Sequence, residues 1–93
     1  MKVTIEVSLY PLTENYEEIV LEFLDNLNEL DSIQFTTNGM STQIYGDVSD
    51  IFAVLGEQFE KIQSSGKAVL VMKAGPGTLR YDGKHSRELP DQI

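Results

Sequence analysis

The stretch SIQFTTNGMSTQIYGD, residues 32 to 47, decides the fold of this protein. Its dipeptide Asn38-Gly39 separates two segments that can both form strands, and it favours a two-residue type I′ turn, in which both turn positions need a positive φ. The sequence therefore predicts a hairpin whose second strand spans residues 40 to 46. That strand carries three hydrogen-bonding side chains in a row where Val or Ile would pack better: Ser41, Thr42 and Gln43.

A helical pattern flanks this hairpin on each side along the chain. Residues 16 to 30 and residues 48 to 62 repeat apolar side chains at spacings of three and four, which is typical of amphipathic helices. Asn15 with Glu18 favours a capping-box start for the first helix. Asp47 is the expected N-cap of the second helix, and Gly66 suits the left-handed position after it. The positions expected to face the core are Tyr16, Ile19, Val20, Phe23, Leu24, Leu27 and Leu30, then Val48, Ile51, Phe52, Leu55, Phe59 and Ile62.

Strands are predicted outside the two helices. Residues 3 to 10 alternate between apolar and polar side chains, the period of a half-buried strand, and residues 67 to 73 form a fourth strand that ends before the GPG of residues 75 to 77. The order β-α-β-β-α-β, with two right-handed crossovers, predicts an α+β ferredoxin-like sandwich. Its four-stranded antiparallel sheet would have the order 4-1-3-2, with both helices on one face. We assign residues 1–74 to this domain and residues 75–93 to a C-terminal tail or docking arm.

Composition narrows the classes of function. Among 93 residues there are only seven Lys and Arg and the net charge is -8, so we expect no nucleic-acid partner. The chain has no Cys and a single His, His85, so we expect no metal site and no cofactor. The sequence shows no nucleophile activated by a positioned base, and we expect no catalytic residue. No apolar run approaches the roughly 18 residues of a membrane span, and the N-terminus lacks a signal peptide's apolar region, so we expect a cytoplasmic protein.

Alternation assigns the polar strand residues to the sheet face that the helices leave uncovered, here called the outer face. If Ile44 faces the helices, so does Thr42, while the odd-numbered side chains from 41 to 45 face away. The expected outer-face set is Glu6, Ser8 and Tyr10 beside Ser41, Gln43 and Tyr45, flanked by Gln34, Thr36, Val69 and Val71.

Three uses of the outer face are compatible with the sequence. It can be a solvated surface, an interface between subunits, or an interface that also holds a small-molecule site. Val69, Val71 and Tyr45 are costly choices for open water, which favours burial of part of this face against another chain. Glu6 is the only carboxylate among mostly neutral hydrogen-bonding groups, a mixture that small-molecule pockets use to orient a ligand.

Three motifs resemble the thiamine-binding YkoF-like family: VSLYPL at residues 7 to 12, NGMSTQIYGD at residues 38 to 47, and VSDIFAVLGEQFEK at residues 48 to 61. The resemblance covers roughly residues 3 to 73. It implies that residues 1–74 are a ligand-binding domain and that sheets of neighbouring copies associate into homodimers or homotetramers. It also implies binding of thiamine or its hydroxymethylpyrimidine moiety, for uptake or salvage.

The chemistry of thiamine fits the polar residues of the outer face. Its aminopyrimidine ring presents an amine donor and ring-nitrogen acceptors, and its thiazolium ring is positively charged. Hydroxyl and amide side chains can both donate and accept, and a carboxylate can accept from the amine or offset the cation. A tyrosine ring can stack on the ligand, and a methionine can supply an adaptable apolar contact. The predicted ligand-binding residues are Glu6, Ser8, Tyr10, Asn38, Met40, Ser41, Thr42, Gln43 and Tyr45, with Asn38 also a candidate turn former.

The sequence thus predicts a non-catalytic binding protein for thiamine or hydroxymethylpyrimidine. The alternative is a self-associating interaction module of the same fold that has no small-molecule ligand.

Overall fold

The six predicted elements occur in the predicted order in a computed structural model that describes residues 1–85. The strands are β1 (Lys2–Pro11), β2 (Gln34–Thr37), β3 (Thr42–Asp47) and β4 (Ala68–Pro76), and the helices are α1 (Tyr16–Asn28) and α2 (Val48–Ser65). The sheet has the order β2-β3-β1-β4 and its paired strands are antiparallel, which confirms the ferredoxin-like sandwich. Neither helix in the described part of the chain is long and apolar enough to cross a membrane.

Strand register places the apolar side chains of the sheet on its helix-covered face. Ile44 in β3 lies opposite Ile5 in β1 and opposite Phe35 in β2, and directly opposed residues of antiparallel strands share a face. Ile5 and Ile44 are fully buried. Burying these side chains against the helices is the main stabilising contribution to the fold. The core consists of Val3, Ile5, Val7, Ile19, Phe23, Leu27, Ile33, Ile44, Ile51, Leu55, Ile62 and Ala68.

The hairpin connection differs from the predicted two-residue type I′ turn. Thr37 pairs with Thr42, so the connection has four residues, Asn38 to Ser41, and β3 begins at Thr42. The Asn38 Oδ1 atom accepts the backbone N–H groups of Met40 (2.8 Å) and Ser41 (3.1 Å). The described glycines with positive φ are Gly66 and Gly77, so Gly39 does not adopt the conformation that a type I′ turn requires. An Asn side chain that accepts from the following amides closes the loop instead.

Asp47 is the N-cap residue of α2 as predicted, but the other two predicted helix-end motifs are wrong in detail. Asn15 makes no side-chain cap bond to α1, because its Oδ1 atom accepts from the Thr13 hydroxyl at 2.7 Å. Gly66 follows α2 with φ 156° and ψ 162°, which is outside the predicted left-handed helical region. A Cβ atom at Gly66 would lie 2.9 Å from the Thr13 Cγ2 atom. The close approach of Thr13, together with the backbone conformation, therefore explains why residue 66 is a glycine.

Three positions predicted to face the core are exposed. The exposed fractions are 54% for Tyr16, 48% for Phe52 and 41% for Phe59. The predicted apolar stripe is wider than the contact between each helix and the sheet, so residues at its margin remain in solvent. Gln58, which the periodicity did not single out, is buried instead, and its Oε1 atom accepts from the Asn26 amide of α1 at 2.9 Å.

Strand β4 continues past the predicted end at residue 73 to Pro76, which lies opposite Val3. Gly77, with φ 70°, then turns the chain onto the outer face. The Thr4 hydroxyl donates to the Gly77 carbonyl and accepts the Leu79 amide, both at 2.8 Å. The first residues of the predicted tail therefore cover the Thr4 end of the outer face, and residues 86–93 lie outside the described residues.

Candidate functional site

A chain of polar side chains crosses all four strands on the outer face. The Thr36 hydroxyl donates to Gln43 Oε1 (3.2 Å), and Gln43 Nε2 donates to Ser41 Oγ (2.8 Å). The Ser41 hydroxyl donates to Glu6 Oε2 (2.9 Å), and Lys73 Nζ lies 3.4 Å from Glu6 Oε1. We call Thr36, Gln43, Ser41, Glu6 and Lys73 the outer-face network. These hydrogen bonds account for the polar side chains of Ser41, in the hairpin loop, and of Gln43, in β3.

The carboxylate of Glu6 is held in its ionised form. The hydrogen bond from Ser41 and the neighbouring Lys73 ammonium lower the pKa of Glu6 from its ordinary value, and this outweighs the opposing effect of burial. The Glu6 side chain is 39% exposed, so solvent still reaches it. Glu6 therefore carries a negative charge at neutral pH, next to one positive charge.

Thr42, the remaining residue of the polar run Ser41, Thr42 and Gln43, faces the helices, as alternation predicted. Thr42 is buried, and its hydroxyl shares a 2.8 Å hydrogen bond with the hydroxyl of Thr37 across the hairpin. The buried Thr42 hydroxyl thereby avoids the cost of an unsatisfied polar group. The polar run thus serves both faces of the sheet.

A cleft of about 250 Å³ opens beside this polar run, between the end of β1, helix α1 and the hairpin loop. It forms where β1 extends beyond its last pair with β3, Val7 opposite Thr42. Its apolar wall consists of Val7 and Leu9 from β1 with Val20, Phe23 and Leu24 from α1. Its rim consists of Ser8 and Tyr10 with residues 37 to 42, which are the hairpin loop and the strand residue on each side of it. Among the residues that the structure describes, none that lines this cleft carries a charge.

Six of the nine predicted ligand-binding residues line the cleft: Ser8, Tyr10, Asn38, Met40, Ser41 and Thr42. Glu6 and Gln43 do not line it and connect to it only through Ser41. Tyr45 lies further along β3, opposite Thr4 and Gln34, and is only 8% exposed. The structure therefore brings most of the predicted site together and places Tyr45 apart from it.

The helical wall of the cleft was missed by sequence reasoning. Val20, Phe23 and Leu24 fall on the apolar stripe of α1, where spacing indicates core residues only. Phe23 is in fact both a core residue and a cleft residue. No signal in the sequence separates the two roles, because the cleft depends on how far β1 extends past β3.

An apolar patch lies on the outer face next to the cleft. Tyr10 is paired with Val69, and Val71 is paired with Ser8, so all four side chains share this face. Tyr10, Val69 and Val71 are 54%, 48% and 53% exposed. β-branched side chains exposed to this extent on a sheet face favour contact with another molecule.

Metal binding finds no support in residues 1–85, which hold no group of three or more His, Cys, Asp or Glu side chains able to enclose an ion.

The strand order and the helical layer define this protein as an α+β domain of the ferredoxin-like class. The chain belongs to the YkoF-related family, whose sequence model matches residues 2–74. This match confirms the resemblance carried by the three sequence motifs. No curated protein matches the chain significantly.

Three solved structures share the fold at low sequence identity. A Streptococcus pneumoniae protein superposes with a TM-score of 0.77 at 16% identity, over 85% of this chain and 90% of that one. A Thermotoga maritima protein, described provisionally as a thiamine biosynthesis/salvage protein, has a TM-score of 0.72 at 16% identity, over 80% of this chain and 82% of that one. A domain of unknown function from Bacillus cereus has a TM-score of 0.70 at 15% identity, over 82% of this chain and 76% of that one.

Proposed function

We propose that this chain is a non-catalytic binding protein for thiamine or its hydroxymethylpyrimidine moiety, and that the cleft is its binding site. The observation that carries the proposal is the composition of the cleft, an apolar wall facing a rim of neutral donors and acceptors. Ligand pockets commonly combine such a wall with a few polar groups that fix orientation. Membership of the YkoF-related family and the description of the Thermotoga maritima protein support the choice of ligand.

The size of the cleft favours entry of one ring. Its volume of about 250 Å³ is below the roughly 300–1,000 Å³ typical of pockets that enclose a whole drug-sized ligand. The uncharged lining suits the pyrimidine ring better than the cationic thiazolium ring, because burying a charge without a partner is costly. Thiamine would therefore enter with its pyrimidine ring, and the thiazolium ring would remain towards solvent.

The experiment that tests the proposal is a thermal-shift and calorimetric titration with thiamine, its phosphates and hydroxymethylpyrimidine. A ligand at a hundred times its Kd should add about 2.7 kcal/mol to the free energy of unfolding. NMR of the recovered ligand should show it unchanged, since the cleft offers no His, Cys or carboxylate side chain for catalysis. Absence of any shift with all of these compounds would overturn the proposal.

We expect the protein to act in the cytoplasm.

Replacing Ser41 by alanine should weaken binding about tenfold, because the variant removes one hydrogen-bonding group from the rim. Isothermal titration of Ser41→Ala against the wild type measures this change. Ser64→Ala is the matched control, because Ser64 lies on α2 and its exposed hydroxyl bonds only the Lys61 carbonyl. Equal affinities of Ser41→Ala and Ser64→Ala would show that the ligand does not use this rim.

The apolar outer-face patch favours a second candidate function, self-association without a small-molecule ligand. Val71→Glu should then shift the protein from an oligomer to a monomer in analytical ultracentrifugation, because it places a charge within the patch. Leu21→Glu is the control, since Leu21 is 58% exposed on α1, away from the outer face. Self-association that depends on Val71, together with no thermal shift from any thiamine-related compound, would favour this second function over the first.

A further inference from the structure

The direction of the hydrogen bonds in the outer-face network follows from the charge on Glu6. An ionised carboxylate can only accept, so the single hydroxyl hydrogen of Ser41 must point to Glu6 Oε2. The contact between Ser41 and Gln43 is then made by the amide nitrogen of Gln43, as observed. The Gln43 amide oxygen is left for the hydroxyl of Thr36, which donates to it. One carboxylate thus determines the polarity of three consecutive hydrogen bonds.

The hairpin loop determines the orientation of the Asn38 amide in the same way. Both contacts to its side chain come from backbone N–H groups, those of Met40 and Ser41, so the atom that they reach must be the amide oxygen. The amide nitrogen of Asn38, with two hydrogens, is left to face solvent or a ligand. The oxygen and the nitrogen of this side-chain amide therefore cannot exchange places.

Ser41 and Asn38 stand three residues apart on the loop that forms the rim of the cleft, and they have opposite hydrogen-bonding character. The hydrogen of Ser41 is already committed and one of its lone pairs accepts from Gln43, so the only hydrogen-bonding capacity left on this hydroxyl is one acceptor lone pair. Asn38 offers only donors. A ligand that matches both must present a donor and an acceptor side by side.

We infer that Glu6 is a positioning residue that keeps Ser41 an acceptor, and that Ser41 and Asn38 together select a ring bearing an amino group beside an unprotonated ring nitrogen. The inference rests on the proposed function, since it assumes that the ligand occupies the cleft. The amino group donates to Ser41 Oγ, and the ring nitrogen accepts from Asn38 Nδ2. An aminopyrimidine has this arrangement, whereas an oxopyrimidine presents a carbonyl acceptor beside a ring N–H donor and reverses it.

Two features of the site favour this discrimination between ligands. The pKa of Glu6 is lowered by its hydrogen bond from Ser41 and by Lys73, so its carboxylate stays ionised through the neutral range. The cleft walls are apolar, which makes each mismatched donor or acceptor costly for a bound ring. A site that bonds polar groups of its ligand discriminates strongly against an analogue that leaves those groups unpaired.

The test is the ratio of affinities for two ligands of the same shape, the 4-amino and 4-oxo forms of 5-hydroxymethyl-2-methylpyrimidine, measured by calorimetry. The wild type should prefer the amino form at least tenfold. Glu6→Gln keeps the size of the side chain, but its amide can donate to Ser41 or accept from it. We expect the ratio to fall to about threefold or less in this variant, with little change in melting temperature.

Three further variants isolate the role of Glu6. Thr36→Val removes the far end of the network, but the carboxylate still orients Ser41, so the ratio should stay at its wild-type value. Glu57→Gln makes the same chemical change at an exposed site on α2, where the carboxylate pairs only with Lys61, and should also leave the ratio unchanged. Ser41→Ala removes the acceptor itself and should lower the ratio as Glu6→Gln does, which provides the test if Glu6→Gln does not fold.

The outcomes separate this inference from the proposed function. If the wild type binds both forms equally, or if Glu6→Gln and Ser41→Ala weaken both forms by the same factor, the inference is overturned while binding in the cleft stands. If the wild type binds neither form nor thiamine, the proposed function fails and the inference fails with it. A wild-type preference that collapses in Glu6→Gln and persists in Thr36→Val supports both.

Discussion

Replacing Leu27 by alanine should lower the free energy of unfolding by about 2–5 kcal/mol. Leu27 is fully buried in the middle of the core, on the face of α1 that packs against the sheet. The substitution removes apolar contacts and leaves a cavity that the surrounding side chains fill only in part. A single domain of this size is stabilised by roughly 5–15 kcal/mol in total, so the loss is a large fraction of that stability.

The control for this prediction is on the same helix. Leu21 is 58% exposed, and Leu21→Ala should change the free energy of unfolding by no more than about 0.5 kcal/mol. Both variants replace leucine by alanine in α1, so differences in helix propensity cancel between them. Urea unfolding followed by circular dichroism measures both values. A similar cost for the two variants would mean that α1 packs on the sheet through a different face.

Replacing Val20 by tryptophan should abolish ligand binding, with a loss of at least a hundredfold in affinity, or about 2.8 kcal/mol. Val20 lies on the α1 wall of the cleft and is partly exposed, so a larger side chain there can occupy the cleft without entering the core. The cleft measures only about 250 Å³, and an indole in it leaves no room for a pyrimidine ring. Calorimetric titration with hydroxymethylpyrimidine measures the loss.

Leu21→Trp is the matched control, because Leu21 is the next residue on α1 and does not line the cleft. It should bind the ligand with wild-type affinity. Melting temperatures of the two variants show whether either substitution perturbs the fold. If Val20→Trp folds and still binds normally, the ligand lies elsewhere, and the apolar patch around Val71 becomes the next region to examine.

Local patterns in the sequence were sufficient for the architecture. Alternation in β1 predicted that Ile5 faces the helices and Glu6 does not, and the observed pairing of Ile5 with Ile44 and of Glu6 with Gln43 agrees with this. A side-chain period of two leaves no other assignment once one apolar residue is placed. The two helices were predicted equally well, since the spacing of their apolar residues by three and four positions is a local property.

Local patterns were less reliable where the same residues are compatible with several backbone conformations. Asn38-Gly39 is compatible with a two-residue turn, but Asn38 closes a four-residue loop by accepting two backbone amides. This loop conformation moves the start of β3 to Thr42, and the loop forms part of the rim of the cleft. Phe52 and Phe59 show the same limit, because periodicity identifies an apolar stripe but not its width.

The sequence by itself determined the order of the elements and the face of the sheet that is buried. These depend on periods of two and of three to four residues, which neighbouring residues carry. Only the tertiary structure decided the α1 wall of the cleft, the burial of Tyr45 and the connection of Glu6 to Ser41. Those features depend on where one strand extends past another and where residues 77 to 79 return to the sheet, and such distances between remote segments have no local signature.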